Sequence, residues 1–178
     1  QTSLLQAQIA MMDFQASRWL IGKEVPPQAG NNHPTSIPTG VFKTQDGYIN
    51  IAASGQAIWE GFCRAVGRED WITNPDYVSG GARSKNRDKL NRDIEACILA
   101  RKSTEWIDAL NEAGVPCGPI YSVDQVFADP QVRHIGMAAP VHHPKLGDIE
   151  VVNQPVKMSR TPSEIRTATP NAGAHNAE

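Results

Sequence analysis

Apolar side chains recur at helical spacing along the first twenty residues of the chain, at Leu5, Ile9, Met12, Ala16 and Trp19. This pattern predicts a long helix that ends near Gly22. Leu4, Met11 and Phe14 make the apolar stripe wider than one neighbouring element usually covers. We therefore expect the helix to belong to a larger protein, and to contact another chain or a second copy of this one.

The next stretch loses the helical period and then changes to a strand pattern. Residues 24–38 carry four prolines, a glycine and two asparagines, which is typical of a linker or surface loop. After it, Val41–Lys43 and Tyr48–Ala52 flank the turn sequence Gln45-Asp46-Gly47. An Asp-Gly step between two β-prone runs favours a hairpin, because glycine accepts positive φ. These two runs are predicted to be antiparallel strands.

Three amphipathic helices are predicted in the middle of the chain. Their apolar positions are Trp59, Phe62, Cys63 and Val66, then Leu90, Ile94, Cys97 and Ile98, then Trp106, Ile107, Leu110 and Ala113. Gly67 and Gly114 stand where a helix commonly ends with a left-handed residue, and Ser103 is suited to cap the third helix.

The last third of the chain predicts one short helix and a second hairpin. Asp129 and Pro130 are typical of a helix start, and Gly136 of its end. The runs Ala138–His142 and Ile149–Val152 are then separated by a turn-compatible sequence. From residue 159 onward small and polar residues accumulate, which indicates an extended tail. The whole pattern predicts a small α+β domain with antiparallel strands and several amphipathic helices.

Composition narrows the classes of function. The 17 basic and 19 acidic residues give a net charge of −2, which offers no general attraction for nucleic acid or an anionic membrane. No apolar run approaches the ~20 residues of a transmembrane helix. Three cysteines without a C-x-x-C pair argue against a disulfide framework and a thiolate zinc site. We expect a cytoplasmic protein that needs no permanently bound cofactor.

Few side chains offer chemistry of their own. The chain has no nucleophile elbow, phosphate-binding loop or zinc-protease motif. The histidines are His33, His134, His142, His143 and His175; neighbours in a strand point to opposite faces, so His142 and His143 are not expected to share a metal. We expect no metal site.

Two further features have a structural and a functional interpretation. Cys117 is expected to pack as a structural thiol, because nothing in the sequence places an activating base or cation beside it. A run of basic residues could contact the phosphates of an anionic ligand, although a solvated helix face is the favoured interpretation. The members of this run are Arg83, Lys85, Arg87, Lys89 and Arg92.

The loop Asn31-Asn32-His33-Pro34 is the candidate binding segment. Amide and imidazole groups in a proline-bounded turn can hydrogen-bond a ligand or stabilise an oxyanion, although an ordinary polar turn would have the same composition. No residue of the chain is assigned a catalytic role.

Several segments, taken in order, resemble the family III CoA-transferases. They are Ser3–Leu5, Val41–Ile49, Asp70–Pro75, Ala113–Ile120, Asp129–Gln131 and Pro170–His175. The segment Ala113–Ile120, with the sequence AGVPCGPI, is the most specific. The family includes formyl-CoA transferase, carnitine CoA-transferase and the α-methylacyl-CoA racemases, and the resemblance covers essentially all 178 residues.

The resemblance implies a two-domain subunit that forms an interlocked homodimer. Residues 1–25 would end the Rossmann-like large domain, residues 26–158 would form the small domain, and residues 159–178 would return to the large domain. The substrates would be an acyl-CoA and a carboxylic acid. In this family an aspartate of the large domain attacks the thioester, and the corresponding aspartate would precede Gln1, so the fragment alone is expected to be inactive.

The resemblance also implies that Asn31, Asn32 and His33 bind substrate or the CoA intermediate. In formyl-CoA transferase a glycine-rich loop closes over the intermediate, but the corresponding residues 29–38 lack such a run of glycines. Two alternatives to CoA transfer stay open. One is an acyl-CoA racemase or isomerase of the same family, which uses an upstream acid and base. The other is a non-enzymatic assembly or binding module.

Overall fold

The computed structural model describes residues 2–174 and residue 176. They form two compact units that meet in sequence between Ile120 and Tyr121. The elements of the first unit are α1 (Leu4–Ala10), α2 (Phe14–Gly22), β1 (Thr39–Lys43), β2 (Tyr48–Ala52), α3 (Gln56–Ala65), α4 (Asp70–Thr73), α5 (Gly80–Lys85), α6 (Arg87–Ile98), α7 (Ser103–Glu112) and β3 (Cys117–Pro119). Those of the second unit are α8 (Val123–Ala128), α9 (Pro130–His134), β4 (Ala138–His143) and β5 (Gly147–Val152).

The predicted long first helix is wrong, because the structure has two helices in its place. Asp13 adopts a φ of 46°, which the α-helix cannot accommodate, and the chain turns between α1 and α2. Ser3 and Gln6 form a capping box at the start of α1. The helix α2 ends at Gly22 as predicted, but the left-handed residue after it is Lys23, with a φ of 54°. Neither helix contains a buried residue.

The first hairpin is confirmed and continues into a third strand. β1 and β2 pair antiparallel with Phe42 opposite Ile49, and β2 pairs antiparallel with β3 with Ile51 opposite Cys117. In β2 the burial alternates, with Ile49 and Ile51 fully buried. The pattern of residues did not predict β3, which has only three residues and includes a proline.

The hairpin turn is held by hydrogen bonds of Thr44 and not by a positive φ at a glycine. Gly47 does not adopt the positive φ that we expected. Instead, the Thr44 amide donates to the Gly47 carbonyl at 2.9 Å, and the Gly47 amide donates to the Thr44 hydroxyl at 3.0 Å. The connection between β1 and β2 is thus a four-residue loop and not a two-residue turn. The buried Thr44 hydroxyl accepts the hydrogen bond that closes it.

The three predicted amphipathic helices are confirmed as α3, α6 and α7. α6 packs on β1, and α7 packs on β2 and β3. Gly67 and Gly114 have φ values of 71° and 73°, as expected of residues that follow a helix. Ser103 is not the cap of α7; it is the first helical residue, and its amide donates to the Asp46 carboxylate from the hairpin loop at 2.8 Å.

Aromatic side chains form the centre of the core. Trp59 stacks on Trp71, with ring centroids 6.1 Å apart, and Tyr77 meets both rings edge-on. All three residues are at most 1% exposed. Burial of a side chain of this size stabilises the fold by roughly 1.5–3 kcal/mol. The first unit therefore has a substantial core of its own.

The second unit contains the predicted helix and hairpin, and also the helix α8, which the pattern of residues did not predict. Asp129 accepts hydrogen bonds from the amides of Gln131 and Val132 at the start of α9, and Gly136 follows this helix with a φ of 68°. β4 and β5 pair antiparallel, with Val141 opposite Ile149. In the described part of the tail beyond residue 158, no helix or strand forms. In the part of the chain that the structure describes, no helix is long and apolar enough to cross a membrane.

Candidate functional site

The candidate loop lies directly beside the start of β1. Asn32 pairs with Gly40 in an isolated antiparallel bridge, and the His33 amide donates to the Thr39 carbonyl at 2.7 Å. Asn31 is exposed, whereas Asn32 and His33 are half-buried. The loop thus folds back beside β1, and the three candidate side chains lie in one short segment.

Gly40 permits this close approach. A Cβ at residue 40 would lie 2.9 Å from the side-chain oxygen of Asn32 and 3.0 Å from the Asn31 carbonyl. Both distances are below ordinary van der Waals contact, so a larger residue would displace the loop. The absence of a side chain at Gly40 therefore sets the position of the candidate segment.

The ring of His33 closes its own turn. Its Nδ1 atom accepts hydrogen bonds from the amides of Thr35 at 3.2 Å and Ser36 at 2.9 Å. A ring nitrogen that accepts carries no proton, so the proton of the neutral imidazole is on Nε2. The ring also stacks on Phe14 of α2, with centroids 5.5 Å apart and an interplanar angle of 7°. His33 therefore offers a donor at Nε2 from a ring that is held on one edge and one face.

Helix α6 also holds the loop in place. The side-chain amide of Asn91 donates to the Asn32 side-chain oxygen at 2.9 Å, and the Arg87 guanidinium donates to the Pro34 carbonyl at 2.6 Å. Arg87 and Asn91 are one helical turn apart, so they lie on the same face of α6. Sequence reasoning missed Asn91 and counted Arg87 only as a member of the basic run. The i, i+4 spacing of Arg87 and Asn91 indicated that they share a face of the helix, but it did not indicate that this face contacts the loop.

The basic run is not a single solvated face. Lys85, Lys89 and Arg92 are exposed, as we expected, and Lys89 forms a 2.7 Å ion pair with Asp76. Arg83 contradicts the expectation, since it is only 1% exposed. Its position is fixed by acceptors from distant parts of the chain, which no local pattern reveals.

Arg83 joins three loops at the centre of the first unit. Its guanidinium donates to the carbonyls of Ile37, Ser54 and Tyr77 at 3.1, 3.0 and 2.9 Å. It also donates to Gln56 at 3.2 Å. Burial lowers the pKa of Arg83, yet four acceptors satisfy the planar fork of donors. The linker is thereby fixed just before β1.

The cysteines occupy apolar surroundings, as expected of packed thiols. Burial raises the pKa of Cys63 to about 12 and that of Cys117 to about 11. Cys117 is half-buried in β3. A thiol with a raised pKa is a poor nucleophile near neutral pH.

The remaining histidines do not assemble into a site among the described residues. His142 contacts Asp148 at 2.8 Å, and His143 accepts hydrogen bonds from the amides of Lys145 and Leu146. His175, the last residue of the Pro-x-x-Gly-x-His segment, lies outside the described residues. Within residues 2–174 and 176, no three His, Cys, Asp or Glu residues come together as metal ligands.

The chain is similar to known proteins over nearly its whole length. The family model described as CoA-transferase family III matches residues 1–176. The chain belongs to this family. The resemblance in sequence is thus confirmed, and the mixed α+β fold with antiparallel strands agrees with family structures.

Curated relatives of this family III chain carry transferase names. Human succinyl-CoA:glutarate CoA-transferase is 30% identical over 173 residues, which cover 97% of this chain and 40% of the relative. Formyl-CoA:oxalate CoA-transferase of Rhodopseudomonas palustris (strain BisB18) is 32% identical over 158 residues, which cover 85% of this chain and 37% of the relative. The chain therefore spans about 40% of the length of the curated relatives it matches.

Solved structures share the fold. A CAIB/BAIF family protein from Brucella suis is 25% identical with a TM-score of 0.75, and the match covers 91% of this chain and 42% of that one. The protein Rv3272 from M. tuberculosis is 22% identical with a TM-score of 0.79, and the match covers 99% of this chain and 46% of that one. The role of residues 31–33 stays a prediction.

Proposed function

We propose that this chain is the small-domain part of an enzyme that moves CoA between an acyl-CoA and a carboxylic acid. The observation that carries the proposal is the family match over residues 1–176, together with relatives that are named as CoA-transferases. We further propose that the protein acts in the cytoplasm, because Cys63, Cys97 and Cys117 are all free thiols, as is usual in a reducing compartment.

The proposed chemistry is covalent catalysis by an aspartate that precedes Gln1. The carboxylate attacks the acyl-CoA thioester and forms a mixed anhydride, with CoA thiolate as the leaving group. The thiolate then attacks the aspartyl carbonyl, which releases the first acid and leaves an aspartyl-CoA thioester. The second carboxylic acid attacks this thioester, which releases CoA thiolate and forms a new mixed anhydride. The thiolate then attacks the acyl carbonyl of the second acid, which gives the new acyl-CoA and frees the aspartate.

In this scheme the candidate loop supplies binding and not bond-making. The proposal that Asn31, Asn32 and His33 contact substrate or the CoA intermediate is supported by their position in one short segment beside β1. His33 has its proton on Nε2 and is held by the turn and by Phe14, so it can donate without first reorganising.

The two helices at the start support a proposal about assembly. Their exposed apolar residues include Leu4, Ile9, Met11, Met12, Trp19 and Leu20, with exposed fractions between 50% and 88%. Apolar surface of this extent is normally covered by another protein surface. We propose that residues 1–25 pack on the large domain or on the second subunit of a homodimer, with residues 26–158 as the small domain and 159–178 as the return segment.

The test is CoA transfer by the full-length protein that carries this chain. We would incubate it with succinyl-CoA or formyl-CoA and with glutarate or oxalate, and follow each CoA ester by mass spectrometry. Transfer together with a hydroxylamine-sensitive aspartyl-CoA adduct would support the proposal. Exchange of the α-proton of a 2-methylacyl-CoA in D₂O without transfer would indicate the racemase alternative instead.

The 178-residue chain is the matched control in the same assay. It is expected to show no transfer, because the proposed aspartate is not among its residues. Transfer by this chain alone would contradict the upstream position of the nucleophile. Absence of both transfer and proton exchange in the full-length protein would overturn the enzymatic proposal and favour a binding module.

A further inference from the structure

The candidate loop and helix α6 share an unusual division of hydrogen-bonding roles. His33 uses Nδ1 as an acceptor from two backbone amides, which leaves Nε2–H as its other polar group. Asn32 uses its oxygen as an acceptor from Asn91, which leaves its NH₂ group. The acceptors of both side chains are therefore engaged within the protein, while their donors make no hydrogen bond among the described residues.

Arg87 of α6 carries a third donor without a partner in the part of the chain that the structure describes. The Nε–H of Arg87 is buried and has no hydrogen-bond partner among the described residues, although Nη2 of the same side chain donates to the Pro34 carbonyl. Buried N–H groups are nearly always paired in folded proteins. Arg87 therefore has capacity for one more acceptor next to the loop, and it carries a positive charge.

We infer that Arg87 and Asn91 are positioning residues that turn the loop at Asn32 and His33 into a donor-only site for an anionic oxygen group. Arg87 fixes the backbone at Pro34, and Asn91 fixes which end of the Asn32 amide is engaged. A site that offers only donors favours a carboxylate or a phosphate over a neutral ligand, which would need acceptors as well. This inference rests on the proposed function and names the ligand chemistry of the same loop.

The two sources of such a group are the carboxylic acid substrate and the phosphates of CoA. Isothermal titration calorimetry of the full-length protein with oxalate and, separately, with adenosine 3′,5′-bisphosphate distinguishes them. Binding of either probe that depends on residues 87 and 91 supports the inference, and the probe that binds identifies the source. Binding does not require turnover, so the result is separate from the outcome of the transfer assay.

The sharpest variant is Asn91→Asp. Aspartate cannot donate near neutral pH, so the Asn32 amide must reverse and donate inward, which presents its oxygen to the ligand. We expect about tenfold weaker binding of the anion, the effect of roughly one lost hydrogen bond to a charged group. Simple repulsion by the new charge would fade in 1 M salt, where the Debye length is about 3 Å. The donor reversal would persist.

Arg87 is tested by replacement with alanine and lysine. Arg87→Ala is expected to raise the KM for the carboxylic acid about tenfold while kcat changes little, and Arg87→Lys is expected to recover part of this loss by bonding to the Pro34 carbonyl. Arg92→Ala, an exposed cation on the same helix, controls for general charge. If Asn91→Asp and Arg87→Ala bind both probes as the unmodified protein does, or if Arg92→Ala weakens binding equally, the inference is overturned.

Discussion

The guanidinium of Arg83 lies over the ring of Trp59, with its central carbon 5.0 Å from the ring centroid. This places a full positive charge in the core, where no carboxylate of the described residues pairs with it. The backbone carbonyls of three loops and the π-face of Trp59 take the place of such a carboxylate. Arg83 thus determines the local structure on either side of the hairpin.

Replacement of Arg83 by methionine is expected to lower the free energy of unfolding by about 3 kcal/mol or more. The change leaves the buried carbonyls of Ile37 and Tyr77 without donors, and each such group costs roughly 1–3 kcal/mol. Urea unfolding followed by circular dichroism measures the loss. Lys85→Met, two residues away and exposed, should change stability by less than about 0.5 kcal/mol. Equal stability of the two variants would contradict the role of Arg83.

The contact between Asp46 and Ser103 predicts a pH dependence. Hydrogen bonds from the backbone amide and hydroxyl of Ser103 hold the pKa of Asp46 below its ordinary value of 3.8. The folded state therefore favours the ionised carboxylate. Its contribution to stability is fully present above 3.8 and is lost as the pH falls through the lower pKa of the folded state.

Asp46→Asn removes this contribution. The unfolding midpoint of the variant should lie below that of the original chain well above pH 3.8, and the difference should shrink as the pH is lowered. Asp108→Asn, at an exposed position on α7, controls for the loss of one negative charge. A difference that grows as the pH falls would have the wrong sign.

The thiols of Cys63 and Cys117 are expected to react slowly. With a pKa of about 11, Cys117 has roughly one thiol in a thousand ionised at about pH 8. In a Cys97→Ser background, labelling by iodoacetamide should be slow in the native protein and fast in urea, as followed by mass spectrometry. Rapid native labelling of Cys117 would contradict its interpretation as a packed thiol.

Gly40→Ala is expected to destabilise the first unit by about 1–3 kcal/mol, because the new Cβ would overlap the Asn31 carbonyl and the Asn32 side chain. The matched control is Gly118→Ala in the same sheet, where a Cβ meets nothing within 4 Å and φ is ordinary. Thermal unfolding of both variants provides the comparison. Equal melting temperatures would show that the loop does not depend on the close approach at residue 40.

One local pattern was sufficient to predict several of the elements. The apolar periods around Trp59, Leu90 and Trp106 each identified a helix, because one face of each helix is buried in the core. The turn glycine Gly114 correctly marked the end of α7. Each of these patterns spans no more than about fifteen residues of the chain.

Several features that the sequence did not predict depend on partners far along the chain. β3 exists because Cys117 pairs with Ile51, and its short run has no period of its own. Arg83 is buried because acceptors at residues 37, 54 and 77 converge on it. In the candidate loop, the residue types indicated binding, but its hydrogen bond to Asn91 spans 59 positions. No local pattern could reveal it.

The parallel stack of Phe14 and His33 has a consequence for regulation by assembly. Phe14 is the first residue of α2, and we propose that the exposed apolar side chains of this helix are covered in the complete protein. If α2 shifts when the large domain or a second subunit binds, the Phe14 ring moves with it. The stacked His33 ring would then reorient, and so would its Nε2–H bond. Subunit packing and ligand recognition would then share one aromatic contact, so an interface mutation far from the loop could alter affinity without touching the ligand.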